Sequence, residues 1–558
     1  MRFGATSMPE TSSANMLVYR DGRRRVLASE LVRQLERALD NLRSGSTEDS
    51  LLNALLRAGE LECALSDAQC PGVESATALT DELASMACRA GPRLGASLRA
   101  CQQYVRAIHD RGELTVSRPE GFAYYALHPL DFADTVSSVH LNARCAYVVG
   151  IRSIGTTLSA VVAAKLNADG IPATRTTVRP EGHPYDRRTA FTDAQRNAFQ
   201  QDISRRAIFL VCDEGPGRSG SSLLSVAEAL EKEGVSHDCI LLLCSHQPNP
   251  DALCAPDAAN RWRRYRSLAL GMTSRLPKQA GDYLGADEWR RLFIPPDGDW
   301  PPAWPQTERL KFLSRDRQRV FKFQGHGPYG QQVREREQLL ASSGFGPAYL
   351  GHQAGFGMQE VVGGKQPAAC EPSLAMLTHV ARYCACRATT FSAAVSPDSI
   401  RQLEHMAAFN LEQEFGFAPE LHLEVEQPAI CDGRMQHHEW RELGNNDWVK
   451  LDASTHGDDH FFPGPTDIAW DLAGFCVEWQ LSVDARDSFL AEYWRLSGDN
   501  AAARLQPYEV AYAAFRRGWS RMAAASVAGT HDEGRLLQDA ARYRALLDRI
   551  LVAHTPRH

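Results

Sequence analysis

The sequence predicts an α/β protein: a parallel sheet flanked by helices, followed by an α+β unit, with a helical region ahead of both. Three observations predict it. Short apolar runs alternate with helical patterns between Cys145 and Cys244, the rhythm of βαβ units. A hairpin pattern and a charged helix open a different texture from residue 308 onward. Residues 1–101 carry helical periodicity without strand signals. At 558 residues the chain exceeds one ordinary core, so several domains are expected.

The helical region rests on Leu31 to Leu42, Leu51 to Leu65 and an Ala-rich stretch from Leu83 to Cys101; it reads as an accessory domain. Residues 102–275 form the parallel-sheet, Rossmann-like unit. Cys145 to Ile151 is its first strand, followed by a helix over 157–166. Gly170-Ile171-Pro172 breaks that helix before a strand from Ala173 to Val178. Ile208 to Cys212 and Cys239 to Cys244 add two buried strands around a helix from Leu223 to Glu233. Residues 276–306, rich in Pro, Trp and Asp, read as a linker, and 307–558 as the α+β unit.

A hydrophobic content of 44% and a charged content of 23% are those of a globular protein, and a net charge of −7 argues against a broad nucleic-acid-binding surface. No apolar run is long enough to cross a bilayer, and Met1 to Asn15 is polar, unlike a secretory signal. The fourteen cysteines form no CxxC pair. Cytoplasmic location is the expectation, with Cys212, Cys239 and Cys244 as small core residues.

Chemistry concentrates at residues 208–224. An apolar strand ends in Asp213 and Glu214, a loop of small residues runs from Gly215 to Ser222, and a helix follows. Amides at a helix start hold phosphate, and acids at a strand's carboxyl end sit where open α/β sheets bind ligands. The pattern suits a sugar phosphate. It resembles the 5-phosphoribosyl-1-pyrophosphate (PRPP) motif of type I phosphoribosyltransferases, with Asp213-Glu214 as the acidic pair. Ser219, Gly220, Ser221 and Ser222 match the phosphate loop; Gly217 and Arg218, in a preceding stretch about one residue longer than the family's, are added as phosphate-binding candidates. The same resemblance makes Arg152 to Thr157 a pyrophosphate-contacting loop, with Arg152 pairing with phosphate and Thr156 and Thr157 supplying hydroxyls. The polar segment Arg175 to Arg188 resembles the family's flexible catalytic loop, with Arg179, His183 and Arg187 as candidates. The resemblance implies transfer from PRPP to an unidentified small-molecule acceptor, with Mg2+ and cations stabilising the leaving pyrophosphate.

A second site is read from residue 308 onward. Arg309 to Ser314 and Arg319 to Phe323 pair around Arg315-Asp316, Lys322 sits on the second strand, and a helix over 329–343 carries Glu335 and Glu337. Gln359-Glu360-Val361-Val362-Gly363-Gly364 follows. This order resembles the aminoglycoside phosphotransferase and choline kinase group of protein-kinase-like enzymes. The resemblance implies a pair of Lys322 with Glu335 or Glu337 and a nucleotide hinge at Glu360 to Gly364, Val362 included. It also implies ATP as co-substrate, a catalytic loop at Ile430 to Trp440, a metal-binding Asp452 after Val449-Lys450-Leu451, and a structural Asp-Leu-Ala in Asp467 to Ala473. The chain departs from the family at two places: Arg434 stands at the catalytic aspartate and Glu439 at the metal-binding asparagine. An arginine accepts no proton at working pH, so a base would come from Asp432, His437, Asp458 or Asp459. Asp452 and Glu439 keep oxygen donors for Mg2+. His437, His438, His456, Asp458, Asp459 and His460 cluster without a zinc-site spacing.

The leading expectation is a PRPP-dependent transferase fused to a kinase-like domain. The alternatives are a small-molecule kinase with a regulatory phosphoribosyltransferase-like domain, and a non-catalytic nucleotide sensor or scaffold.

Overall fold

The computed structural model describes residues 16, 23–45, 47–89, 94–109, 112–139, 141, 143–270, 275–296, 298–367, 371–455 and 464–553. It is a mixed α/β structure in which two separate five-stranded sheets anchor two bodies.

The helical region begins with β1 (Arg24–Leu27) and continues through α1 (Ala28–Ser44), α2 (Glu48–Asp67), α3 (Val73–Cys88) and α4 (Leu94–Arg106). It closes when β2 (Glu113–Val116) pairs antiparallel with β1. A helix break near residue 89 thus divides the expected Ala-rich stretch. α2 opens on a capping box at Thr47, whose hydroxyl accepts from the Ser50 amide. The region is bound to the parallel-sheet unit: its leucines share one core with Ala160 and Val161. Arg175, nearly inaccessible, pairs with Glu62 at 2.8 Å and with Asp81.

The short helices α5 (Glu120–Ala123) and α6 (Pro129–Ser138) lead into the parallel-sheet unit. That unit runs β3 (Ala146–Ile151), α7 (Ile154–Ala168), β4 (Ala173–Val178), β5 (Glu181–His183), β6 (Asp186–Arg188), α8 (Asp193–Ser204), β7 (Ile208–Cys212), α9 (Ser221–Lys232), β8 (Ile240–Cys244), α10 (Ala258–Arg263) and β9 (Arg266–Ala269). Five parallel strands lie in the order β4-β3-β7-β8-β9, while β5 and β6 form a separate hairpin. β3, β7 and β8 are buried throughout, as their unbroken apolar runs require. Close packing needs two glycines here. A Cβ on Gly150 would lie 2.2 Å from the Gly155 carbonyl oxygen, and one on Gly155 2.7 Å from the Cys212 carbonyl oxygen. The order reverses between β3 and β7, the switch point where open α/β sheets bind ligands.

The expected linker is no spacer. β10 (Ala280–Tyr283) pairs antiparallel with β11 (Lys311–Ser314), and α11 (Glu288–Phe293) lies between them. Arg290 of α11 pairs with Asp532 of the C-terminal helix at 2.7 Å. The sheet continues through β12 (Arg319–Phe323), α12 (Gly327–Ser342), β13 (Tyr349–Gln353) and β14 (Phe356–Glu360), in the antiparallel order β10-β11-β12-β14-β13.

A helical lobe follows. It comprises α13 (Leu374–Thr390), α14 (Pro397–Phe415), β15 (Pro428–Ala429), β16 (Trp440–Gly444), β17 (Asp447–Lys450), β18 (Thr466–Asp467), α15 (Ala469–Glu478), α16 (Val483–Ser497), α17 (Leu505–Ser526) and α18 (His531–Ala553). Trp470, Tyr493, Tyr508, Tyr512 and Tyr543 fill its core. No helix among the described residues is long and apolar enough to cross a membrane.

The two bodies meet at several points among the described residues, chief among them the segment around α5. The Phe122 carbonyl accepts from the His326 amide at 2.9 Å and the Ala123 carbonyl from Arg309 at 3.3 Å. α12 also rests on α2, with a Cβ on Gly327 reaching 3.1 Å from the Asn53 Cα.

Candidate functional site

A cavity of about 210 Å³ lies between the antiparallel sheet and the helical lobe. Lys311, Val320 and Lys322 line it from the sheet, Glu360, Val361 and Val362 from the strand end, and Arg434, Glu439 and Asp452 from the opposite wall. Trp289, Trp304 and Trp519 add aromatic surface, two of them contributed or approached through the 276–306 segment.

Its charged floor is built by two elements of local geometry. β11 and β12 set Lys311 directly opposite Lys322, which places both side chains on one face of the sheet. Beyond β17 the chain turns at Asp452, whose φ of 56° lies in the left-handed region that aspartate tolerates better than most residues. The Asp452 carboxylate then takes both ammonium groups: Oδ1 lies 2.9 Å from Lys322 Nζ and Oδ2 2.8 Å from Lys311 Nζ. Lys322 also donates to the Thr455 hydroxyl. Burial lowers the Lys322 ammonium to about 8, against the opposing pull of Asp452 and with the help of Lys311. Burial presses on Lys311 as well, but Asp452 and Glu308 outweigh it and lift the group above its ordinary value.

The Lys322–Glu337 pair expected from sequence does not form. Glu337 accepts amide protons from Gln359 at 2.6 Å and from Gln324 instead, and burial raises its carboxyl to about 7. Glu335 is exposed and accepts from Gln331.

The loop at 430–439 is held from beneath. Asp471 accepts the amides of Asp432 and Gly433, each at 2.8 Å, while Arg387 donates to the carbonyls of Ile430 and Ala453 at 2.8 and 3.0 Å. Burial raises the Asp471 carboxyl to about 6, with Arg387 opposing. The expected structural aspartate of the Asp-Leu-Ala segment therefore does position this loop. Asp432 is wholly buried, accepts from Tyr383 and pairs with Lys450 at 3.3 Å, so it reaches no ligand as a base. His437 packs on Trp479 with the rings tilted and their centroids 4.1 Å apart, away from the cavity lining. His438 and Glu439 do line the cavity, and burial lowers the His438 imidazole to about 4. Asp458 and Asp459, with His456 and His460, lie outside the described residues; among the described ones no cluster of three or more metal-ligating side chains occurs.

Among the described residues the donor set does not fit Mg2+ as the sequence suggested. Mg2+ needs oxygen lone pairs at 2.0–2.1 Å, and at Asp452 it would compete with an ammonium on each carboxylate oxygen. Glu439 is 3.5 Å from Lys450 Nζ. Sequence reasoning missed Lys311 and Lys450. A hairpin centred on Arg315–Asp316 would set Arg309 opposite Lys322; the observed register is centred one residue later, between Asp316 and Arg317, and sets Lys311 there.

At the switch point of the parallel sheet, Asp213 and Glu214 are half-buried. Asp213 accepts the Glu214 amide at 2.8 Å, and Glu214 accepts the Gly121 amide at 3.1 Å. Burial raises Asp213 to about 7, and burial with Glu120 and Asp213 raises Glu214 well above the carboxylate range. Arg152 and Arg179 stand nearby, but both pair with Asp67 of α2, Arg152 at 3.1 Å. The loop after β7 has left-handed turns at Gly217 and Gly220, as a phosphate-binding turn requires. Its hydroxyls are turned elsewhere: Ser219 and Ser221 donate to the Pro184 carbonyl at 3.0 and 2.7 Å. Ser222 is half-buried and Arg218 exposed. Thr156 and Thr157 are buried in the first turn of α7, with Thr157 against Gly59 of α2. Arg152 and Arg179 are thus engaged by Asp67 of the helical region, and Ser219 and Ser221 by the Pro184 carbonyl between β5 and β6, while the buried Thr156 hydroxyl has no hydrogen-bond partner among the described residues. His183 and Arg187 lie on the β5–β6 hairpin, where Arg187 donates to the Gly182 carbonyl at 2.7 Å.

No family model and no curated protein matches the chain. Solved structures similar to part of it are choline and ethanolamine kinases. Choline kinase LicA from Streptococcus pneumoniae is 15% identical over 43% of this chain and 89% of its own, with a TM-score of 0.31. A choline/ethanolamine kinase family protein from Mesorhizobium loti is 14% identical over 44% and 88%, with a TM-score of 0.26. An ethanolamine kinase from Plasmodium vivax is 9% identical over 45% and 83%, with a TM-score of 0.27. The reading of the cleft rests on its own geometry.

Proposed function

We propose that the cleft between the antiparallel sheet and the helical lobe is a kinase-like nucleotide-binding site, and that the parallel-sheet unit is its regulatory partner. The observation that carries this is the meeting of Lys322 and Asp452, 2.9 Å apart, on the floor of a 210 Å³ cavity edged by Glu360, Val361 and Val362. A strand end edged by the aliphatic side chains of Val361 and Val362 suits a planar base, and buried ammoniums suit phosphate oxygens. Arg434 at the loop position where a kinase of this group has its proton acceptor supports nucleotide binding over phosphoryl transfer. Transfer to a small molecule is the second reading, favoured by His438 and Glu439 on the cavity wall. Transfer from PRPP draws support only from the place of Asp213 and Glu214 at the switch point. The upward shift of both carboxyls, and the engagement of Ser219 and Ser221 with Pro184, weigh against it.

The test is calorimetric titration of the full chain with ATP and with PRPP, alongside an assay for ATP turnover. The expected result is saturable ATP binding that Lys322→Ala weakens about tenfold or more, the 1.4 kcal/mol scale of one charge-assisted contact, without turnover. ATP turnover lost in the Glu439→Gln variant would establish the second reading. PRPP binding with pyrophosphate release, and no ATP binding, would overturn the proposal.

A further inference from the structure

We propose that lysine replaces the divalent cation in this cleft: it takes the phosphates of a nucleotide through Lys311 and Lys322 and needs no Mg2+. The inference deepens the nucleotide reading and rests on it. In a metal-dependent site, a strand-end carboxylate keeps its oxygen lone pairs for the ion, and the ion carries charge to the phosphates. Here each oxygen of that carboxylate faces an ammonium group, at 2.8 and 2.9 Å. The register forces this arrangement, because Lys311 and Lys322 are a cross-strand pair on one face of a hairpin. A doubly charged ion on Asp452 would have to enter beside two ammoniums within hydrogen-bonding distance of the same carboxylate, or expel one of them. The second oxygen donor, Glu439, is likewise committed to a cation, with Lys450 at 3.5 Å and fully buried. Lys450 also holds Asp432 at 3.3 Å, so moving it would uncover a second buried carboxylate.

The ammoniums therefore stand where an ion would bring its positive charge. The lining sets Arg309, Lys311, Lys322, Arg434 and Arg441 against Glu308, Glu360, Glu439 and Asp452, and the two lysines share the one carboxylate between them. An ammonium has three donors, so Lys311 and Lys322 each keep bonding capacity for a phosphate oxygen while retaining Asp452. The ligand class that follows is a nucleoside di- or triphosphate in its metal-free form.

The experiment is calorimetric titration of the full chain with ADP and ATP, once in EDTA and once in excess magnesium. The inference expects affinities within about twofold in the two media, about 0.4 kcal/mol. Lys311→Met should weaken binding in EDTA about tenfold or more and make binding magnesium-responsive, whereas Lys311→Arg should keep metal-independent binding. Wild-type affinity falling tenfold or more in EDTA would overturn the inference while leaving the nucleotide reading intact. An unchanged EDTA affinity in a folded Lys311→Met protein would also overturn it. Absence of nucleotide binding in both media would instead overturn the nucleotide reading, and this inference with it.

Discussion

Asp213 and Asp452 both follow a buried or half-buried strand, yet their charges are handled in opposite ways. Asp213 has the Glu214 amide as its hydrogen-bond donor, and burial raises it to about 7. Asp452 has two lysines within 2.9 Å. Loss of water outweighs the pull of Arg179 and lifts Asp213, whereas Asp452 is clasped between two ammoniums. A strand ending in an acid therefore tells where a ligand-sized opening can form, and the residues brought across from other elements decide its chemistry.

The sharpest way to break this comparison is to remove each acid and measure unfolding. Asp452→Ala leaves two ammoniums without their carboxylate, Lys322 almost wholly buried, and should cost about 3 kcal/mol or more. Asp213→Asn replaces a largely protonated carboxyl by a neutral side chain of similar shape and should cost less than about 1 kcal/mol at pH 6. Urea denaturation at fixed pH checks both, and equal costs would erase the distinction.

A smaller effect sharpens it through pH. Because Asp213 binds its proton more tightly in the folded state than its ordinary value of 3.8, the folded protein holds more protons than the unfolded chain between about pH 4 and 7. Its contribution is fully present below about pH 4 and is lost as pH rises through about 7. Glu214 acts in the same direction. The melting temperature of Asp213→Asn should consequently fall less steeply than that of the wild type from about pH 5 to pH 7.5. Parallel slopes would show that Asp213 is already ionised in the folded protein.

Much of the architecture was legible in the sequence because its signals are local. The unbroken apolar runs at 208–212 and 240–244 became central parallel strands, and the pattern around Arg315–Asp316 became the β11–β12 hairpin. Segment 276–306 was misread because Pro and Trp density resembles a spacer. Its role depends on non-local contacts: β10 on β11, and Arg290 on Asp532, 242 residues away. The same holds for site residues. The positions of Lys322, Glu360, Val362, Asp452 and Glu439 on one cavity were readable from their order along the chain, whereas the partner of Lys322 was not. Gln324 and Gln359 satisfy Glu337 and free the lysine for Asp452, and no spacing rule announces that exchange. At the phosphate-type loop, Pro184 and Asp67 decide what Ser219, Ser221, Arg152 and Arg179 do, and both arrive from elsewhere in the fold.

The most direct measurement of the central claim is hydrogen–deuterium exchange on the full chain with and without saturating ATP. The account predicts slowed exchange in residues 311–322, 359–362 and 452–455, with the loop at 213–222 unchanged. Slowed exchange confined to 213–222 would contradict it.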